Sequence, residues 1–209
     1  MDAEVVQLSP RELFGLDLKI KRHAVLCSVG FLILLPLGSL VARYLRTFTR
    51  GWFWPHALIQ FVIAGPVIFA GWALAHQAVN IIPGQNFNDK HKKIGLALLI
   101  LYLMQLMLGL FIHFVKLPFM GGHRPPQNYF HAILGLAIIA LAFYQVHYGI
   151  NTEWIFYTGI IIDPRAMHAW TALIVVFWVL YALGLALLPR QYKQESEGRM
   201  RAREEEKAI

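Results

Sequence analysis

Residues 91–115 read HKKIGLALLILYLMQLMLGLFIHFV, and they set the class of this protein. A helix needs about 20 apolar residues to cross the roughly 30 Å hydrocarbon core of a bilayer, and this stretch supplies them after its basic start. The two-residue alternation that marks a barrel strand is missing from it. The stretch therefore predicts a membrane-spanning α-helix.

Four more segments share this length and apolar character, and loops that contain glycine and proline separate the spans. Only helices and closed barrels satisfy their backbone hydrogen bonds within lipid, and none of the segments has a strand pattern. The sequence therefore predicts an all-α membrane protein, an up-down bundle of five transmembrane helices. Their expected bounds are residues 23–45, 55–78, 91–115, 128–150 and 166–188.

The composition of the 209-residue chain agrees with a membrane location. The chain is 57% hydrophobic and only 15% charged, whereas a soluble domain carries about a quarter charged residues. The formal net charge of +7 comes from basic residues between the spans, so it does not indicate a nucleic-acid partner. A single cysteine, Cys27, excludes an intramolecular disulfide and a thiolate zinc site.

Polar segments flank the spans at both ends of the chain. Residues 1–22 form a mixed, amphipathic segment, residues 23–189 the transmembrane domain, and residues 190–209 a charged tail. The first residues lack the basic-then-apolar order of a signal peptide, so we expect the first helix to remain as an anchor. Basic residues are more numerous on the face that carries the C-terminus, which predicts a cytoplasmic C-terminus and a non-cytoplasmic N-terminus.

Nine histidines are the most informative polar residues, because an ionisable side chain inside a membrane is costly and often functional. Successive helices run in opposite directions, so His23, His91 and His168 gather near one membrane surface, and His56 and His131 near the other. Helices one and three lie diagonally across an up-down bundle, as do helices two and four. This arrangement aims His23 at His91 and His56 at His131.

Each of these pairs predicts a haem iron between two imidazoles. Neutral imidazole is the commonest metal ligand, but the spans supply no acidic or cysteine partner to complete a zinc site. An iron that already has four porphyrin nitrogens needs only two more ligands. Gly95 and Gly135 lie one turn after His91 and His131 on the same face, where they leave room for a flat macrocycle. We therefore expect a four-helix haem-binding core with two haems.

The residues alone leave alternatives open. His168 competes with His23 as the partner of His91, in which case helices two to five form the core. A histidine-lined metal or proton transporter is a second class of function, but transporters place their polar site at the midplane, where these helices are apolar. A structural membrane subunit is a third. The remaining histidines are interpreted as polar residues at helix ends: His76, His113, His123 and His147.

Four motifs follow one another along the chain. They are His23-Ala24 running through Leu35-Pro36-Leu37-Gly38 to Arg46; Trp54-Pro55-His56 with Ala70-Gly71-Trp72; His91-Lys92-Lys93-Ile94-Gly95 with Gln105; and Arg124-Pro125-Pro126-Gln127-Asn128-Tyr129-Phe130-His131 with Gly135. Together they resemble the cytochrome b561 family over roughly residues 20–189. The likeness is to the five-helix form that is usually attached to extracellular electron-accepting domains.

The resemblance implies a function and a set of ligands. Members of the family bind noncovalent b-type haems and transfer electrons across a membrane. The matching motifs make His23 and His91 the axial ligands of one haem b, and His56 and His131 those of a second. These four histidines are therefore the expected ligands of the haem iron, and His168 is expected to have no such role.

The resemblance also implies partners. In this family electrons often pass from cytoplasmic ascorbate to monodehydroascorbate or a ferric chelate, which leaves open whether the chain is itself an ascorbate-dependent oxidoreductase or ferric reductase. The chain carries no electron-carrying extracellular domain, so we expect such a partner to be a separate redox protein or a small molecule. Whether the chain forms a homodimer is also left open. Lys92 stands where arginine is more usual, and lysine lacks the planar fork that arginine offers a haem propionate.

A basic donor site is implied at the end of the first helix. Arg43, Arg46 and Arg50 lie three to four residues apart, so a helix places them on one of its sides. They lie near the same membrane surface as His56. We interpret Arg50, out in the loop, as an anchor. Arg43 and Arg46, with Lys116, are the candidates for binding an anionic donor such as ascorbate.

Overall fold

The computed structural model describes residues 8–81, 87–115 and 125–207, and every regular element within these ranges is helical. A sixth helix, α6 (Leu188–Lys207), is polar and follows the last span. The prediction of an all-α protein with five spans is confirmed. The helices long and apolar enough to cross a membrane are α1, Pro10–Leu45; α2, Phe53–Val79; α3, Lys90–Phe114; α4, Pro126–Thr158; and α5, Pro164–Leu185.

Helix α1 begins at Pro10, well before the first apolar span that starts near residue 23. The Ser9 side chain accepts a hydrogen bond from the backbone N–H of Glu12, and the Glu12 carboxylate accepts one from the backbone N–H of Ser9 at 2.8 Å. Pro10 at the first helical position needs no partner for an N–H group. Because this capping box starts the helix, residues 10–22 continue without a break into the first span.

Helices α1 to α4 share one apolar core, and α5 lies against its outside. The midplane contains Leu98 and Tyr102 of α3 and Ile139 and Phe143 of α4, all almost completely buried. Helix α5 contributes Phe177 to this core. The apolar midplane agrees with the sequence and separates the two ends of the bundle, where the polar side chains lie.

Two spans carry a proline in their interior, and a π-helical segment lies just before each one. Val29–Leu34 precedes Pro36, and Leu58–Ile63 precedes Pro66. A proline has no N–H to donate, and its ring crowds the carbonyl four residues earlier, so the wider π turn accommodates it. A third π-helical segment, Gly149–Glu153, lies in α4.

Candidate functional site

Four histidines form two pairs at opposite ends of the bundle. The ring centroids of His23 in α1 and His91 in α3 lie 6.1 Å apart, with their planes at 88°. Those of His56 in α2 and His131 in α4 lie 6.4 Å apart, at 81°. His168 of α5 is exposed and is not among the residues that border the cavity at the first pair. The structure therefore places His23, and not His168, beside His91.

Glycine carbonyls orient the histidines of α1 and α2. The Nδ1 atom of His23 lies 2.9 Å from the backbone oxygen of Gly71, and that of His56 lies 2.8 Å from the backbone oxygen of Gly38. A carbonyl oxygen can only accept, so each Nδ1 carries the proton and donates it. The neutral ring then keeps the lone pair of its Nε2 atom available for a metal, which is the usual arrangement of a metal-binding histidine.

Glutamines from the facing helix hold the histidines of α3 and α4. The Nε2 atom of Gln145 in α4 donates to the backbone oxygen of His91 at 2.6 Å. In return, the Nε2 atom of Gln105 in α3 donates to the backbone oxygen of His131 at 2.7 Å. Each helix thus fixes the start of the other, where the paired histidine lies.

Glycines let these imidazole rings lie directly against the facing helix. A Cβ atom on Gly149 would lie 3.0 Å from Cε1 of His91, and one on Gly109 would lie 3.1 Å from Cε1 of His131. Both distances are shorter than an ordinary carbon–carbon contact of about 3.5–4.0 Å. Any larger residue at these two positions would push the ring away.

Gly95 and Gly135 both border the cavities, and Gly135 also makes room for a glutamine. A Cβ atom on Gly135 would lie only 2.8 Å from Nε2 of Gln105, and one on Gly95 would lie 3.5 Å from Nε2 of Gln145. Space for a flat macrocycle was the reason expected from the sequence. The structure adds a second reason at Gly135, which is the passage of the Gln105 side chain from the facing helix.

A repeated spacing underlies these matching contacts. Because the antiparallel partners exchange their contacts, both ends of the bundle are built in the same way. This spacing is visible in the sequence. An internal comparison of the chain would therefore have pointed to the glutamines and glycines beside the histidines. His91, Gly95, Gln105 and Gly109 of α3 recur as His131, Gly135, Gln145 and Gly149 of α4, and the pair His23 and Gly38 of α1 recurs as His56 and Gly71 of α2.

Each histidine pair borders a cavity, of about 310 Å³ at His56 and His131 and about 610 Å³ at His23 and His91. Within the described ranges, no group of three or more His, Cys, Asp or Glu side chains could hold a bare metal ion. Two imidazoles bonded at about 2 Å on either side of one metal have centroids about 6 Å apart, close to both separations found here. The donor set and the spacing fit a haem iron, which brings four nitrogens of its own.

Arg43 and Arg46 border the cavity at His56 and His131. The Nη2 atom of Arg43 donates to Oε1 of Gln191 in α6 at 3.0 Å. Arg46 forms an ion pair with Glu195 of the same helix at 2.5 Å. Lys116, the third residue proposed for the donor site, lies outside the described residues, as do His123 and Arg124 of the adjoining loop.

Charged side chains also lie beside the other histidine pair. The Lys92 ammonium forms an ion pair with Asp89, the N-cap of α3, at 2.7 Å, and lies over the Tyr157 ring. Burial opposes ionisation of Asp89, but the hydrogen bonds and charge of Lys92 outweigh it and hold the pKa of Asp89 below its ordinary value. Lys92 and Glu153 both border the cavity at His91, so this entrance carries both signs of charge.

Comparison with known proteins agrees with this geometry. Residues 22–157, which contain all four paired histidines, match the family model described as eukaryotic cytochrome b561. The chain belongs to the cytochrome b561 family. This family is one whose members transfer electrons across a membrane by means of b-type haem. The resemblance stated from the sequence motifs is confirmed.

The relatives of this b561 protein are longer than it is. Two cytochrome b561 and DOMON domain-containing proteins of Arabidopsis thaliana are each 30% identical to it, over 73% and 77% of this chain but 34% and 38% of their own lengths. A third from the same plant is 28% identical over 72% of this chain and 39% of its own. The chain thus spans between a third and two fifths of these relatives. No solved structure is significantly similar to it.

Proposed function

We propose that this chain carries electrons across the membrane through two haem b groups, one between His23 and His91 and one between His56 and His131. The observation that carries the proposal is the pair of opposed imidazoles at each end, one ring of each pair donating its Nδ1 proton to a glycine carbonyl. Each haem, when bound, supplies an iron that takes up and releases one electron. The two histidines of each pair would hold this iron from both sides and would leave no open site for oxygen.

The chain's own residues supply position and insulation. In α3, His91 contacts Gly149 of α4, and Gly109 contacts His131 of α4. Gly109 lies 18 residues after His91, and at 1.5 Å per residue the two histidine pairs are therefore about 27 Å apart along the helix axis. That separation puts one pair near each surface of a hydrocarbon core about 30 Å thick. Leu98, Tyr102 and Ile139 fill the space between with apolar or aromatic side chains. This apolar midplane favours electron transfer over a transporter, which needs a polar site there.

The test of the function is a spectrum with a haem count. The protein, purified from haem-replete cells, should be red and should give about two haems per chain by the pyridine haemochrome assay, with low-spin spectra in both oxidation states. Carbon monoxide should leave the reduced spectrum unchanged, because both axial positions are filled. A colourless protein, or a reduced protein that binds carbon monoxide readily, would overturn the proposal.

We further propose that electrons enter at the His56 and His131 end from a cytoplasmic anionic reductant such as ascorbate. Arg43 and Arg46 border that cavity and offer charge-assisted donors. The acceptor at the opposite end is monodehydroascorbate, a ferric chelate or a separate redox protein. The excess of basic residues on the C-terminal face supports a cytoplasmic α6. A protease applied to sealed, right-side-out vesicles should spare a C-terminal tag and cut it only after permeabilisation; cleavage in sealed vesicles contradicts this orientation.

A further inference from the structure

We propose that Glu195 of α6 sets the charge selectivity of the donor site, because its ion pair with Arg46 lowers the attraction of the site for anionic reductants. This inference rests on the donor site proposed above. Nη2 of Arg46 lies 2.5 Å from Oε1 of Glu195, and the two side chains are only 20% and 17% exposed. Arg46 borders the cavity at His56 and His131, so its charge lies at the entrance that a donor must use.

A polar anchor holds Glu195 in this position. Gln191 lies one turn before Glu195 on the same face of α6 and is 1% exposed. Its Nε2 atom donates to the Thr47 hydroxyl at 2.6 Å and to the Arg43 backbone oxygen at 2.9 Å. Helix α6 is therefore fixed to the end of α1 at this point, beside the arginines that border the cavity.

The two arginines consequently present different charges to a donor. The contact between Arg43 and Gln191 is with a neutral amide, which does not neutralise the guanidinium charge. The contact of Arg46 is with a carboxylate, which cancels its charge at short range. Partly buried charges are weakly screened, so the Glu195 carboxylate opposes a monoanion at this entrance more strongly than an exposed surface charge would.

The experiment compares Glu195→Gln with Glu204→Gln in the full-length, haem-loaded protein. Glu204 lies nine residues further along α6, about 13 Å away, and is exposed, so its variant makes the same change in net charge away from the entrance. Anaerobic stopped-flow reduction is measured against ascorbate concentration and, separately, against a neutral quinol. Glu195→Asp retains the charge and serves as the conservative variant.

In Glu195→Gln we expect the half-saturating ascorbate concentration to fall about threefold or more at low ionic strength, with an unchanged limiting rate. Because the partly buried pair is weakly screened, most of the gain should remain as salt is added. Quinol kinetics, Glu204→Gln and Glu195→Asp should stay at wild-type values. Amide hydrogen exchange in α6 should be unaltered, since Gln191 keeps its contacts.

The inference is overturned if Glu195→Gln and Glu204→Gln show the same ascorbate dependence, or if Glu195→Gln binds ascorbate more weakly. The inference is also overturned if amide hydrogen exchange in Glu195→Gln becomes faster, which shows that α6 has detached, and the ascorbate dependence of this variant is the same as that of Glu195→Asp. A different result, in which wild-type haem is reduced by the quinol but not by ascorbate at any concentration, refutes the donor site itself.

Discussion

The Nε2 atom of Gln145 lies 2.6 Å from the backbone oxygen of His91 and 3.0 Å from the Nδ1 atom of its ring. One buried amide in α4 therefore contacts both the backbone and the imidazole of a histidine in α3. Gln105 makes the corresponding backbone contact to His131 at the other end. A buried side chain that bridges two helices in this way gives each histidine a defined place, since leaving either polar partner unsatisfied is costly.

Gln145→Ala should disturb the haem at His91 and spare the one at His131, and Gln105→Ala should do the reverse. Losing such a bond costs about 1–3 kcal/mol, enough to lower occupancy of one haem and the thermal midpoint of the protein. Haem content and a redox titration that resolves the two haems would measure this. Each variant is the control for the other, and equal loss of both haems in both variants would contradict separate roles.

The two haems should be separable by removing their ligands. His23→Leu or His91→Leu should abolish one low-spin haem, and His56→Leu or His131→Leu the other, because a haem with one axial ligand is five-coordinate and weakly held. His168→Leu is the matched control and should keep both spectra, since His168 is exposed on α5. If His168→Leu loses a haem and His23→Leu keeps a normal spectrum, the haem-binding core consists of helices two to five instead of helices one to four.

Substitutions at Gly149 and Gly109 should each displace one imidazole. In Gly149→Ala the new Cβ would lie 3.0 Å from His91, so the ring must shift, and electron paramagnetic resonance should show a changed low-spin signal for that haem alone. Gly109→Ala should change the other signal. Gly15→Ala is the control, because nothing lies within 4 Å of its Cβ position, and a helix interior there gains about 1 kcal/mol from alanine. Unaltered signals in all three would show that the rings have room to spare.

Arg43→Ala should slow reduction by ascorbate more than Arg46→Ala does, because Glu195 already compensates the charge of Arg46. A direct charged contact is worth about 1–3 kcal/mol, which corresponds to roughly a 5- to 150-fold loss in apparent affinity. Stopped-flow reduction by ascorbate measures the effect, with dithionite as the donor that needs no binding site. Unchanged ascorbate kinetics in both variants, with normal haem content, would mean that both arginines only anchor the helix.

The sequence by itself determined the membrane-spanning helices and the ends at which the histidines lie. Hydropathy over about 20 residues is a local property, and the alternating direction of successive spans follows from the membrane. The sequence decided the partner of His91 less firmly. Helix geometry leaves both His23 and His168 as candidates, and only the family motifs favour His23. Hydropathy bounds the first apolar span from residue 23, and the structure joins the amphipathic segment from Pro10 to that span as one continuous helix, α1.

Only the tertiary structure decided which residues hold the histidines. Gln145 and His91 are 54 residues apart in the chain, and Gly38 and His56 belong to different helices, so their contacts depend on how the helices pack. The same holds for Glu195, which lies beside Arg46 where Gln191 joins α6 to α1. Composition marks residues 190–209 only as a charged tail, since local charge reports the cost of burying a group but not the partner that offsets this cost.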